Sequence, residues 1–397
     1  MRLLALAPTG FFADYGCHVR IRGQMAALQA RGHTVRIVTY PAGREVDGLS
    51  TTRPPFWPAG RPMPVGSSRR KLLLDALLAP TALHAGLRFP GGRPDIIHAY
   101  LHEGALLGTP LARLLAAPLV FDFQGSLTAE MLDHRFLRPC SPVLPALQRL
   151  EGWIDRRPDA ILASSHHAVG LLAGAGVPPD RVHTLPDSVD PAVFRPRAEL
   201  SRPALQALRR RLDLPDDRPV LVYLGLLAAY QGTELLLQAM QRLIRRPAPP
   251  HLLVMGFPDV ARYQAQAQAL GLAGHVTFTG AVAYEAAPLY LALGDVAVAP
   301  KVSATEGSGK LLPYMAAGLP VAAFDTPVHR EYLGQWGIYA PVGDAAGLAD
   351  ALAWALDHRE AAGRAALALR ARAVSQYTWA HAASAMEGVY AALKRQD

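Results

Sequence analysis

Between Pro300 and Asp325 the chain runs PKVSATEGSGKLLPYMAAGLPVAAFD, its densest run of residues suited to chemistry. A short apolar strand delivers the backbone to a turn holding Glu306, Gly307, Ser308 and Gly309. Gly307 and Gly309 carry no Cβ, so main chain there can approach a ligand closely. The pattern predicts a helix starting near Ser308–Lys310 and stopped by Gly318. The free N–H groups and positive dipole end of such a helix start suit a diphosphate. Glu306 can accept hydrogen bonds from sugar hydroxyls, and Lys310 can meet phosphate. An ordinary strand–turn–helix with a surface glutamate shares this pattern, so the rest of the chain has to decide between them.

Such a site needs a scaffold that gathers strand ends. Short apolar runs predict strands at Leu3–Ala7, Val35–Thr39, Ile96–Ala99, Leu119–Phe123, Ala160–Ala163 and Val182–Leu185. A second series is predicted at Val220–Leu224, His251–Met255, Val276–Thr279, Val296–Ala299 and Val321–Phe324. Amphipathic helices are predicted near Val19–Arg31, Thr233–Ile244, Val260–Leu270, Ala286–Leu293, Lys310–Ala317, Ala346–Leu356 and Tyr377–Leu393. This alternation indicates parallel sheets covered on both faces. The proline-rich, charged stretch Asp190–Leu214 marks a boundary between the two series. Two doubly wound domains in sequence place two sets of strand ends around one cleft. His98, His102 and Glu103 follow one strand and are candidates for the acceptor side or for structural roles. Ser50–Lys71, rich in Pro, Gly and Arg and holding Phe56 and Trp57, breaks the rhythm. It is either an irregular surface insertion or a loop facing an acceptor or a membrane.

Composition bounds the function. At 397 residues the chain exceeds the roughly 250–300 that one core supports. The net charge of +8 is dispersed, with no compact basic run or nucleic-acid motif, so nucleic acid is not an expected partner. An anionic small molecule or membrane surface fits better. The two cysteines, Cys17 and Cys140, form neither a disulfide framework nor a zinc motif, and a cytoplasmic setting fits. No apolar run is long enough to span a bilayer, and the opening MRLLALAP reads as a buried strand rather than a signal segment. A soluble protein, open to peripheral contact at the inner face of the membrane, is expected. There is no Asp-x-Asp motif and no His/Cys/Asp group with divalent-metal spacing. No metal or other cofactor is expected.

The stretch around Glu306 resembles the donor-site motif E-G-F-G-L-P-x-L-E-A-M-A-x-G-x-P-V of GT-B glycosyltransferases of family GT4. Glu306-Gly307-Ser308-Gly309 matches its start and Met315–Val321 its end. The middle is one residue shorter, and Pro313 stands where the second glutamate, a ribose contact in the family, would fall. Val222–Ala239 resembles Y-x-G-R-L-x-x-x-K-G-x-x-x-L-L-x-A, but Leu226 and Gln231 replace the Arg and Lys that meet the donor diphosphate. That loses two charge-assisted contacts, for which Lys301, Lys310 and Arg20 are the candidate replacements. Phe11–Arg20, with Gly16 and His18, resembles the family's glycine loop facing diphosphate and acceptor. Leu119–Gly125 resembles V-x-T-x-H-G, with Gln124 in the place of the histidine against the donor sugar. A glutamine can hydrogen-bond there but cannot act as a base. Leu185–Pro196 resembles the segment leading to the interdomain linker, and the last helix resembles one that crosses back to the first domain.

The resemblance implies an α/β chain of the GT-B fold, two Rossmann-like doubly wound domains facing across a cleft. Residues 1–198 would form the acceptor domain, 199–375 the nucleotide-sugar donor domain, and 376–397 the returning helix. It implies a retaining, metal-independent transferase moving a sugar from a nucleotide sugar to an acceptor glycan, lipid or small molecule. Glu306 and Gln124 are the expected catalytic residues. Gly16, Gly225, Gln231, Gly307, Ser308, Gly309, Lys310 and Leu311 are expected to bind the donor. His18, His98, His102 and Glu103 are expected on the acceptor side. The losses at Leu226, Gln231, Gln124 and Pro313 also allow a non-catalytic sugar-nucleotide-binding subunit. An epimerase or phosphorylase of the same fold is a less favoured alternative, because neither the acid/base set of the one nor the pyridoxal phosphate lysine of the other is evident.

Overall fold

Parallel strands need long crossovers, and helices supply most of them here. The structure, a computed structural model, describes residues 1–55, 69–303 and 307–395. The first sheet holds β1 (Arg2–Ala7), β2 (Thr34–Thr39), β3 (Thr51–Thr52), β4 (Ile96–Tyr100), β5 (Leu119–Phe123), β6 (Ala160–Ala163) and β7 (Val182–Thr184). Its order is β3-β2-β1-β4-β5-β6-β7, parallel throughout. The second holds β8 (Val220–Leu226), β9 (His251–Phe257), β10 (Val276–Gly280), β11 (Val296–Ala299), β12 (Val321–Phe324) and β13 (Ile338–Ala340). Its order is β10-β9-β8-β11-β12-β13, also parallel. Every residue of β4 and β5 is buried, as expected for strands covered on both faces.

Strand order reverses between β1 and β4 and again between β8 and β11. Chain leaving the carboxyl ends of those strands diverges to opposite faces and opens a crevice. The two crevices face each other.

The last helix, Trp379–Leu393, packs on helix Gly16–Ala30 of the first sheet. Gly23 makes this fit possible, because a Cβ there would fall 2.2 Å from the Trp379 ring. Tyr390 Oη lies 2.5 Å from His98 Nδ1, and Glu387 takes Arg31 at 2.6 Å and His33 at 2.7 Å.

Two short strands, β3 and β13, escape the sequence pattern because two or three residues show no periodicity. The helix expected over Tyr377–Leu393 starts at Trp379, where Thr378 caps it, and a separate helix, Arg359–Gln376, precedes it. That helix is built largely of Ala and Arg, with no clear apolar stripe to betray it. Within Ser50–Lys71 the described residues include β3 and the start of helix Arg69–Leu87; Phe56 and Trp57 lie outside the described residues. No helix of the described residues is long and apolar enough to cross a membrane.

Candidate active site

The facing crevices enclose a cavity of about 290 Å³. Both sheets line it, and polar contacts join them around its rim. The Gly307 N–H donates to the Gln124 carbonyl at 3.2 Å, and the Tyr284 N–H to Asp14 Oδ1 at 2.8 Å. Glu285 accepts from Arg22 at 2.9 Å and Arg44 at 3.0 Å.

On the second sheet, Gly225, the last residue but one of β8, has a backbone conformation, φ +151°, that side chains rarely adopt. A Cβ there would sit 2.8 Å from Lys310 Nζ. Lys310 donates to Gln231 Oε1 at 2.7 Å and to Tyr223 Oη at 3.3 Å, and lies over the Tyr223 ring. Lys310, following the neighbouring strand β11, thus brings an ammonium close to the positions where the resemblance implies cations, and Gln231 holds it in place. Lys301 is buried and donates to the Gly307 carbonyl at 2.8 Å, fixing the glycine turn. Arg20 also lines the cavity, but its guanidinium is committed elsewhere. It is buried between Asp122 at 2.8 Å and Asp187 at 3.1 Å, with the Leu185 carbonyl at 2.8 Å. Burial alone would lower the Arg20 pKa, but Asp122 and Asp187 reverse this and raise it, so its charge is fixed and already matched.

The glycine turn meets Asp187 closely: a Cβ at Gly307 or Gly309 would fall 2.9 or 3.2 Å from Asp187 Oδ2. Leu311 is corrected by the structure, while Ser308 lines the cavity with its side chain turned to a neighbour. Ser308 is buried with its Oγ 3.1 Å from His329 Nε2, while His329 Nδ1 lies 2.7 Å from the Phe324 carbonyl. Leu311 packs wholly into the core and its N–H donates to the Ser308 carbonyl, so it has nothing to offer a donor. The helix expected to hold the diphosphate by its dipole is only Leu311–Ala316, too short for a strong one. Glu306 lies outside the described residues.

On the first sheet, Gly16 opens helix Gly16–Ala30 at the cavity wall, and no protein atom lies within 4 Å of where its Cβ would be. Gln124 lines the cavity too. Its carbonyl serves Gly307 and Ser164, while its buried Nε2 has no hydrogen-bond partner among the described residues. An unsatisfied buried donor at a cavity wall is available to a ligand.

Two acceptor-side expectations, His18 and His98, are corrected, while His102 borders a small pocket beside the cavity. His18 is buried below the glycine loop, its Nδ1 accepting the Ala13 N–H at 2.8 Å and its Nε2 2.5 Å from Thr9 Oγ1. Burial, aided by Lys71, pushes its pKa down to about 3, so it is a neutral brace. His98 is fully buried under Tyr390, away from the cavity, and burial pushes it down to about 4. His102 packs against Phe121 and Phe123 and faces Glu151 and Asp155. Burial lowers its pKa, but those carboxylates more than offset this and raise it. Glu103 remains near the cavity: with Lys71, 3.8 Å away, it lines a small side pocket that also touches Gln124 and Glu130.

Sequence reasoning missed Lys71, Glu130 and Asp187 as cavity residues. Asp187 sits just past β7, and a strand-end position was the available signal. Lys71 and Glu130 lie on helices with no motif to mark them.

Two family profiles match the chain. One, described as a glycosyl transferase 4-like domain, matches residues 15–188; the other, glycosyl transferases group 1, matches residues 218–358. A phosphatidyl-myo-inositol mannosyltransferase from Mycobacterium leprae is 28% identical over 98% of this chain and 96% of its own. Sucrose-phosphate synthase from Thermosynechococcus elongatus superposes over 100% of both chains with TM-score 0.82 and 20% identity. HepE from Anabaena, in complex with UDP-glucose, superposes over 99% of this chain and 100% of its own with TM-score 0.76 and 16% identity.

Proposed function

Since the chain belongs to the GT4 glycosyltransferases, in the group 1 family and with the GT-B fold, we propose that it transfers a sugar, with retention, from a nucleoside diphosphate sugar. The observation that carries this is Lys310. It is held by Gln231 and Tyr223 over the end of β8, beside the Gly307–Gly309 turn and inside the interdomain cavity. A diphosphate laid along that turn meets an ammonium, and across the cavity Gly16 leaves open space for its oxygens. A UDP-glucose complex of a protein with this fold supports a nucleotide-linked donor.

Glu306, carried over from the motif resemblance, would hold the sugar hydroxyls, and the free Gln124 amide would donate to the sugar from across the cavity. The sugar–phosphate bond breaks, its electron pair leaving with the diphosphate. The acceptor oxygen bonds to the same carbon on the same face, and its proton passes to the departing phosphate oxygen. Lys310 stabilises the charge that develops on the leaving group. Among the described residues no carboxylate pair lies at this turn, and added Mg²⁺ or Mn²⁺ should leave turnover within about twofold, a change worth under roughly 0.5 kcal/mol. The acceptor is a glycan, lipid or small molecule entering beside Glu103 and Lys71.

Peripheral contact with an anionic membrane is part of the proposal. Helix Leu144–Asp155 exposes Leu150 and Trp153 beside Arg149, Arg156 and Arg157. Co-sedimentation with phosphatidylglycerol vesicles, lost in Trp153→Glu, tests that part. The core proposal is tested by incubating the protein with a panel of nucleotide sugars, detecting released nucleoside diphosphate, and reading the product's anomeric configuration by NMR. Release of diphosphate from none of them, or an inverted product, would overturn it.

A further inference from the structure

Helix Leu144–Asp155 carries Glu151 and Asp155 one turn apart on its inward face, and both are buried. His102, in the first turn of helix Leu101–Leu115, reaches the same point and is only 4% exposed. Its Nε2 lies 3.2 Å from Asp155 Oδ1 and 3.7 Å from Glu151 Oε1. His102 Nε2 and Asp155 Oδ1 are both buried, and neither has a further hydrogen-bond partner among the described residues. Among the described residues no lysine or arginine pairs with either carboxylate. Two buried acids are expensive to keep unless positive charge meets them, from a proton on His102 or from a bound cation.

The spacing has a simple explanation. Zinc holds nitrogen and oxygen ligands at about 2.0–2.2 Å in a tetrahedron, which sets neighbouring ligand atoms roughly 3.3–3.6 Å apart. The two measured separations straddle that range. Glu151 is already prepared for such a role, because Thr128 donates its N–H and hydroxyl to Oε2 at 3.1 and 2.5 Å and leaves Oε1 to face His102. Bonds to the outer oxygen of this kind orient ligands in metal sites.

We propose that His102 Nε2, Glu151 Oε1 and Asp155 Oδ1 bind one zinc ion, with water from the adjoining groove as the fourth ligand. Glu151 and Asp155 both border that groove. The ion pins helix Leu144–Asp155 to the start of helix Leu101–Leu115, and His102 also borders the acceptor-side pocket. It has no part in holding the diphosphate, so the site does not depend on the donor chemistry proposed above.

The test uses the full-length protein, stripped by dialysis against a chelator and titrated with Co²⁺. Visible absorption bands of tetrahedral cobalt should rise to one equivalent and vanish when Zn²⁺ is added. Zn²⁺ should also raise the melting temperature by at least about 2 °C. Asp155→Asn keeps the shape and removes a ligand, so it should lose both responses while its circular dichroism stays native. His102→Ala should do the same. Absence of cobalt bands and of a melting shift in the unsubstituted protein would overturn the site. So would an Asp155→Asn variant that kept both.

Discussion

Lys310 Nζ and Gln231 Oε1 are 2.7 Å apart, joining two βα units of the second sheet at the mouth of the cavity. Gln231 stands where the resemblance implies a phosphate-binding lysine, and it cannot neutralise a phosphate. It instead positions a lysine that can. The same ammonium lies over the Tyr223 ring and beside Gly225, whose missing Cβ gives it room.

Lys310→Met should therefore weaken binding of a nucleoside diphosphate by about tenfold or more, as expected for loss of a charge-assisted contact. Binding of the bare nucleoside should change little. Calorimetric titration of both ligands checks this. Equal weakening of the two, or of neither, would show that Lys310 does not contact phosphate. Gln231→Leu should give a smaller loss with the same selectivity for the diphosphate.

Arg20 makes the opposite prediction. It is fully committed to Asp122 and Asp187, and Asp122 is wholly inaccessible to solvent. Arg20→Met leaves a buried carboxylate with Gln24, at 2.8 Å, as its one remaining side-chain hydrogen-bond donor among the described residues. The expected cost is about 3–5 kcal/mol of stability. Urea denaturation measures it. A variant with native stability but a weakened diphosphate site would instead make Arg20 a ligand contact.

How far the sequence could be read follows from where each signal lies. The buried strands announce themselves because both faces are covered, so β5 and β6 stand at the expected residues. Glycine turns are legible for a similar local reason. What a side chain faces is not local. Nothing in the sequence says that Arg20 is spent on Asp122, 102 positions away, or that His98 meets Tyr390 across 292 positions. The Lys310–Gln231 exchange spans 79 positions, and only the paired strands bring it together. The His102, Glu151 and Asp155 group was invisible because its members come from two helices with no motif spacing.

The buried histidines set the pH response. His18 is pushed down to about 3, and His98 and His329 to about 4, with burial the main cause in each. In the unfolded chain they titrate near 6.5, so below that pH the unfolded state takes up protons that the native state refuses. Stability is fully present above about 6.5 and is lost as pH falls toward about 4, at roughly 1.4 kcal/mol per pH unit for each extra proton. Asp75 and His102 oppose this with one proton each, because burial pushes Asp75 up to about 6 and the neighbouring carboxylates raise His102, so both protonate in the native state first. Urea midpoints at pH 7.5, 5.5 and 4.5 should fall in that order. A midpoint that held constant or rose on acidification would contradict neutral, buried histidines.

The returning helix gives the last test. Trp379 lies across helix Gly16–Ala30 at Gly23, where a Cβ would stand 2.2 Å from the indole. That gap cannot be closed by a side-chain adjustment of a few tenths of an ångström, so Gly23→Ala must push the indole or the helix away. Overpacking of this kind costs about 1–3 kcal/mol. Alanine favours a helix interior over glycine by roughly 0.5–1 kcal/mol, which offsets part of the strain but not all of it. The expected net effect is a lower melting temperature. Trp379 also borders the cavity, so the substitution should weaken substrate binding alongside stability. Trp379→Ala tests the contact from the other side. In the Gly23→Ala background it should cost less than it does alone, because the clash is already relieved. If the two losses simply add, the indole is not what limits residue 23, and the helix contact as described is wrong.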